Sequence, residues 1–324
     1  MGTISVGKYR GMQRLSNGAG SLSMCALDHR GSLMKMLKGV MKVDPTYQDM
    51  VDFKMDICEA LSMWASAILL DPIYGASQAI ASETLDGSTG LVVSLEETGY
   101  EGGGESRISR ELANWSAAKI RRMGADAAKL LLYYRPDVDV AARQLDLVKK
   151  LAADCEAQDL PFVVEPVGYA VGDEGPSGRY AQMRPDIVIQ TAKEITPLGI
   201  DVLKAEFPCD ANVETDENKM LEFCKELDAA SEVPWIILSG GVDFEMFKRQ
   251  VEIACKAGAS GFLGGRALWQ EATAMESREE RVEFFNTTVV DRLRLITAIA
   301  DAYGTPWFAR VDAPETSEDW LATY

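Results

Sequence analysis

Histidine is nearly missing from this chain: His29 is the only one in 324 residues. One histidine cannot build a zinc site of the usual imidazole-rich kind, and a Ser-His-Asp arrangement would have to use this residue. Cysteine is sparse too. Cys25, Cys58, Cys155, Cys209, Cys224 and Cys255 are scattered without a C-x-x-C, several of them in apolar runs. That pattern predicts reduced core thiols in a cytoplasm. No apolar run reaches the roughly 18 residues of a membrane span. The opening "MGTISVGKYRGMQRLSNGAG" lacks the apolar segment of a secretory signal, and "MGTISV" fits the short myristoylation pattern only loosely. Cations are outnumbered, 33 against 50 acidic residues, for a formal net charge of −17. Nucleic acid and anionic membrane are therefore not expected as partners, because polyphosphate needs a basic surface. An anionic small molecule would have to be held by local cations and backbone amides.

What is present is alternation. Short apolar runs recur as "SLSMCALDHR", "SAILLDP", "GLVVSLEE", "DAAKLLLYY", "PFVVEPVGY", "DVLKAEFP", "PWIILSGG" and "GASGFLGGR". Between them lie amphipathic stretches, among them 107–123, 138–158, 184–197, 216–231 and 243–257. Eight βα units with no Pro/Gly/Ser-rich linker predict one closed (β/α)8 TIM barrel spanning 1–324 as a single domain. Residues 1–20 form an N-terminal segment. Residues 270–324, with a helix around 277–302 and a polar tail, form a C-terminal helical extension.

Polar residues fall where the barrel would use them. Asp28, Asp71, Glu96, Glu165, Ser239 and Arg266 stand at or near the C-terminal ends of apolar runs, which share one mouth in a barrel. Lys129 and Lys204 lie within their runs. In "DVLKAEFP", Val202, Lys204 and Glu206 share a face, and an ammonium inside the barrel near Lys129 should have a lowered pKa. A free amine is what Schiff-base chemistry needs. Pairing with Glu165 or Glu206 for structure alone is the other reading, and pattern leaves both open. Glu165 is the natural acid/base beside such an amine, with burial expected to raise its pKa toward neutrality. Asp28 could orient the lysine or take a proton. His29 is either a mouth residue touching substrate or a satisfied surface imidazole.

Two glycine pairs follow the seventh and eighth strands: Ser239, Gly240 and Gly241 in "LSGGVD", and Gly264, Gly265 and Arg266 in "LGGRALW". Loops at those places commonly cradle phosphate with bare amides, and Arg266 adds a guanidinium.

The motifs "ALDHRGSL", "SAILLDPIYG", "EETGY", "GADAAKLLLYY", "PFVVEPVGY", "GIDVLKAEFP", "LSGGV" and "GGRALW" occur in order, each at a strand end. Through them the chain resembles the class I tagatose-1,6-bisphosphate aldolases over nearly its whole length. The resemblance implies that Lys204 is the Schiff-base lysine, Glu165 its acid/base partner, and Lys129 and Asp28 the other charged catalytic residues. It implies a C1-phosphate site at Ser239 to Gly241 and Gly264 to Arg266, and Arg30 suits the far end of the substrate. It further implies a phosphorylated ketose as substrate, tagatose 1,6-bisphosphate with fructose 1,6-bisphosphate as a further candidate, no metal or other cofactor, and a homo-oligomer. Family members commonly carry Gln where this chain has His29. A sister branch with the same barrel motifs cleaves 6-deoxy-6-sulfofructose-1-phosphate, a second expectation for the substrate. A sugar-phosphate-sensing regulator that keeps the site without turnover is the reading of another class, and a transaldolase would not need two phosphate cradles.

Overall fold

The computed structural model describes residues 2–324. Eight parallel strands pair in chain order and close on themselves. They are β1 (Leu22–Leu27), β2 (Ala67–Leu70), β3 (Gly90–Ser94), β4 (Ala127–Tyr133), β5 (Phe162–Val167), β6 (Val202–Ala205), β7 (Trp235–Leu238) and β8 (Gly261–Gly264). Closure comes from β1 lying beside β8, with Leu22 opposite Gly261 and Cys25 opposite Gly264.

The two-residue period of a strand sorts the side chains. Leu22, Met24, Ala26, Ala67, Leu69, Val92, Ala127, Val163, Val202, Ile236 and Leu263 form one cluster inside the barrel. Helix α1 (Val6–Leu15) sends Met12 and Leu15 into that cluster, and Trp307 joins them. Lys129, Glu165 and Lys204 each stand two residues beyond an apolar member of it. The apolar layer is therefore followed by a charged one toward the C-terminal mouth.

Outward residues such as Cys25, Ile68, Val93, Leu130, Val164, Leu203 and Ile237 pack under the helices. All six cysteines are free and buried, as their scatter predicts. Helices α2 (Gly31–Met41), α3 (Tyr47–Leu61) and α4 (Ala76–Ala81) flank the first strands. The next helix, α5 (Ala117–Arg122), covers only the last part of the amphipathic stretch 107–123. Ser116 caps it by accepting from the Lys119 amide, and Asn114 just before is left-handed at φ 61°. Residues 97–110 instead form a flap, with Glu97 N on Arg110 O at 2.8 Å and Glu101 N on Ile108 O at 2.9 Å. A helical period cannot compete where extended backbone finds a partner.

The remaining helices agree with their amphipathic stretches more closely. They are α6 (Ala141–Glu156), α7 (Tyr180–Ile195), α8 (Glu217–Ala230) and α9 (Phe244–Ala257). Asp216 and Asp243 cap α8 and α9. The short α10 (Arg266–Trp269) follows β8. The helix expected near 277–302 appears as α11 (Arg278–Phe284) and α12 (Val290–Tyr303) joined by a widened turn, with Leu293 and Ile296 buried in the helical layer. Among the described residues no helix is long and apolar enough to cross a membrane.

Candidate active site

Glu165 joins two cations. Its Oε1 lies 2.8 Å from Lys204 Nζ and its Oε2 lies 2.8 Å from Lys129 Nζ. Lys129 also donates to Asp28 Oδ2 at 2.7 Å and to Glu96 Oε1 at 3.0 Å. Strands β1, β4, β5 and β6 thus converge on one chain of contacts, Lys204 to Glu165 to Lys129 to Asp28, with Glu96 reaching in from just beyond β3. Glu96 is further fixed by accepting from the Leu131 amide at 3.0 Å.

This cluster forms the floor of a cavity of about 560 Å³ at the C-terminal mouth. Asp28, Glu96, Glu165 and Lys204 line it, while Lys129 is fully buried beneath. Burial pulls the Lys129 ammonium down, but the Asp28, Glu165 and Glu96 carboxylates outweigh it and hold the group well above the ordinary lysine value. Burial likewise pushes Glu165 up, yet Lys129 and Lys204 win and its carboxyl lies below the usual value. The expected rise toward neutrality is therefore corrected. Two ammonium contacts at 2.8 Å outweigh desolvation. Asp28 follows the same pattern: burial raises it, and Lys129 and Lys204 carry it far below.

The glycine loops close one side. Ser239, Gly240, Gly265 and Arg266 line the cavity; Gly241 and Gly264 do not. Gly264 ends β8 against Phe247, and Gly241, at φ 83°, lies under Arg266, where a Cβ would come 3.0 Å from the guanidinium carbon. The Gly265 amide points at Ser239 Oγ from 3.4 Å. The Arg266 Nε is buried without a protein hydrogen bond.

Arg30, which follows β1 and is 8% exposed, also lines the cavity and donates through Nη2 to the Glu96 carbonyl at 2.6 Å. Its Nη1 is buried with no protein partner. Lys35, one turn along α2, also lines the cavity, with Thr98, Gly99 and Tyr100 of the flap. His29 turns its ring edge-on to Trp269, 5.1 Å between centroids. Its pKa falls to about 4 through burial, with Arg266, Lys204 and Lys54 assisting against Asp28. It is a neutral imidazole in the cavity wall.

A family model described as DeoC/LacD family aldolase matches residues 22–271. The chain belongs to that aldolase family. It is 34% identical to the tagatose 1,6-diphosphate aldolase 2 of Enterococcus faecalis, over 97% of this chain and 99% of that protein. It is 31% identical to the tagatose 1,6-diphosphate aldolase of Lactococcus lactis, over 94% and 98%. Among solved structures it is similar to an archaeal fructose-1,6-bisphosphate aldolase, with TM-score 0.61 and 20% identity over 91% of this chain and 99% of that one. At that identity the likeness speaks for the barrel.

Within this aldolase, residues with no assigned role in the sequence reading complete the site. Glu96 had a readable signal, since Val92, Ser94 and Glu96 keep one parity along β3. Tyr133 had the same signal, since Lys129, Leu131 and Tyr133 keep one parity along β4. Lys35 and Tyr100 had none, because a loop or helix residue reaches the mouth only through the fold. Glu206 stays apart from Lys204, accepting from the Gly168 amide at 2.7 Å and pairing with Arg184 at 3.3 Å. Burial pushes its carboxyl above the usual value against the pull of Arg184, and Glu165 adds to the rise.

Proposed function

We propose that this protein is a class I aldolase that cleaves tagatose 1,6-bisphosphate to dihydroxyacetone phosphate and glyceraldehyde 3-phosphate through a Schiff base on Lys204. The carrying observation is the contact of Lys204 with Glu165 at 2.8 Å, in a cavity that both Arg266 and Arg30 line. Lys204 passes a proton to Glu165 and attacks the C2 ketone. Glu165 returns that proton to the departing hydroxyl, water leaves, and an iminium remains. Glu165, with Asp28 beside it, then takes the C4 hydroxyl proton. The C3–C4 bonding pair moves into the iminium, which serves as the electron sink. Glyceraldehyde 3-phosphate leaves, the enamine is protonated at C3, and water releases dihydroxyacetone phosphate from Lys204. Lys129 stays charged throughout and holds Glu165 and Asp28 in line.

Ser239, Gly240, Gly265 and Arg266 bind the C1 phosphate, which remains with the covalent half. Arg30 and Lys35 bind the distal anion, and His29 contacts the distal half as a neutral group. The names of the relatives from Enterococcus and Lactococcus support the bisphosphate substrate, and six free buried thiols support a cytoplasmic setting.

Borohydride added with dihydroxyacetone phosphate should leave a mass adduct on the peptide containing Lys204. Lys204→Met, which keeps the volume, should remain folded and lose nearly all turnover. An adduct on Lys129 alone, or none, sinks the mechanism. Tagatose and fructose bisphosphates assayed beside 6-deoxy-6-sulfofructose-1-phosphate decide the substrate, and higher kcat/KM for the sulfonate would overturn it.

A further inference from the structure

Asp71 stands at the end of β2 among the strand-end charges, yet it does not line the cavity and the chemistry above does not use it. Its partner is Lys54 of α3. Both are buried, 0% and 1% exposed, and they form an ion pair. Replacing such a pair by apolar residues is often neutral or stabilising, so stability alone is a weak reason for its presence.

Its hydrogen bonds give a better one. Lys54 Nζ donates to the Leu27 carbonyl at 2.7 Å. Asp71 Oδ1 accepts from the Ile73 and Tyr74 amides at 2.8 and 2.9 Å. Leu27 opposite Leu70 is the last paired position of β1 and β2, so the chain leaves the sheet at Leu27. The next three residues are Asp28 on Lys129, His29 in the cavity wall and Arg30 on the Glu96 carbonyl. The pair ties the last sheet residue of β1 to the loop after β2, immediately before the chemistry begins.

We infer that Lys54, held by Asp71, is a positioning residue: its grip on the Leu27 carbonyl directs Asp28, His29 and Arg30 into the cavity. The inference rests on the aldolase mechanism proposed above for its kinetic consequence. It does not rest on it for its structural one. Lys54 is also among the cations that hold His29 below its ordinary value, together with Arg266 and Lys204 and against Asp28.

Lys54→Met alone would leave Asp71 buried without its cation and could fail to fold. Lys54→Met/Asp71→Asn keeps an acceptor for the Ile73 and Tyr74 amides and leaves no lone buried charge. Three quantities are read: kcat for tagatose 1,6-bisphosphate, the dihydroxyacetone phosphate concentration that half-saturates borohydride trapping, and the imidazole NMR titration of His29. As the only histidine, His29 gives one unambiguous signal. The folded double variant should trap within about threefold of the native concentration while kcat falls about 10- to 100-fold, as for misplaced reacting groups. The His29 midpoint should rise. A kcat within threefold of native overturns the inference, as does a loss of trapping equal to the loss of turnover. An unfolded double variant overturns it too, since the pair is then a folding element. Native protein that fails to trap dihydroxyacetone phosphate faults the aldolase mechanism instead, and an unmoved His29 midpoint then overturns this inference separately.

Discussion

In the proposed mechanism Glu165 is the residue on which the chemistry turns, and its position explains its charge and suits it to that use. Lying 2.8 Å from each of two lysines, it is an anion at rest despite burial. On that mechanism, once Lys204 is part of an iminium, the carboxylate is left facing the substrate and able to take a proton. Glu165→Gln keeps the shape and removes the base, so turnover should fall about 10²-fold or more. A drop under about threefold would move the role to Asp28. In the proposed binding mode the two arginines separate by substrate half. Arg266→Ala should weaken dihydroxyacetone phosphate about 10- to 150-fold, the scale of one charge-assisted contact of about 1.5–3 kcal/mol. Arg30→Ala should spare that compound and penalise only substrates with an anion at C6. Competitive inhibition by dihydroxyacetone phosphate, measured in both variants, checks the assignment. Equal weakening would reverse the orientation of the substrate.

Among the elements, the flap 97–110 contributes Thr98, Gly99 and Tyr100 to the cavity wall. Arg107 holds it by lying 4.5 Å over the Tyr169 ring and 4.8 Å over that of Tyr100. Its turn depends on Gly102, at φ 89°, where a Cβ would come 2.0 Å from the Ser106 carbonyl oxygen. Backbone cannot yield as a flexible side chain does. Gly102→Ala should therefore displace Tyr100 and raise KM for the bisphosphate about 5- to 30-fold, the equivalent of about 1–2 kcal/mol. Gly104, which has open space around it, serves as the control, and Gly104→Ala should leave KM unchanged. Equal KM in the two variants would remove the flap from substrate binding.

The whole molecule carries a formal charge of −17 and collects its useful cations inside one mouth. The same burial makes stability depend on acid. In the fold His29 titrates near 4, against 6.5 for the free imidazole. The unfolded chain is therefore protonated there first as pH falls, and folded stability drops between about pH 6.5 and 4 by on the order of 3 kcal/mol. Asp28 and Glu165, held below their ordinary values, contribute stability that is present above the unfolded carboxylate pKa. That contribution is lost as pH falls further, through their folded values. His29→Gln should flatten Tm between pH 6.5 and 4 and leave the steeper loss below it. Parallel Tm curves for the two proteins would contradict a buried neutral His29.

The chain's own pattern determined the barrel, because eight alternating runs with two-residue periodicity leave a closed parallel sheet as the way to bury both strand faces. It determined the inward direction of Lys129, Glu165 and Lys204 as well, since parity along a strand is a local property. Its motifs pointed to the family. Tertiary structure alone decided which carboxylate meets which lysine, and with that the sign of the Glu165 shift, which depends on charges from three other strands. It alone turned the start of the stretch 107–123 from a helical period into the returning arm of a flap, because its backbone finds its partner in the preceding arm. Lys54 carried no readable signal at all. Its helix reads as one more amphipathic face, and only packing brings its buried ammonium to the last carbonyl of β1.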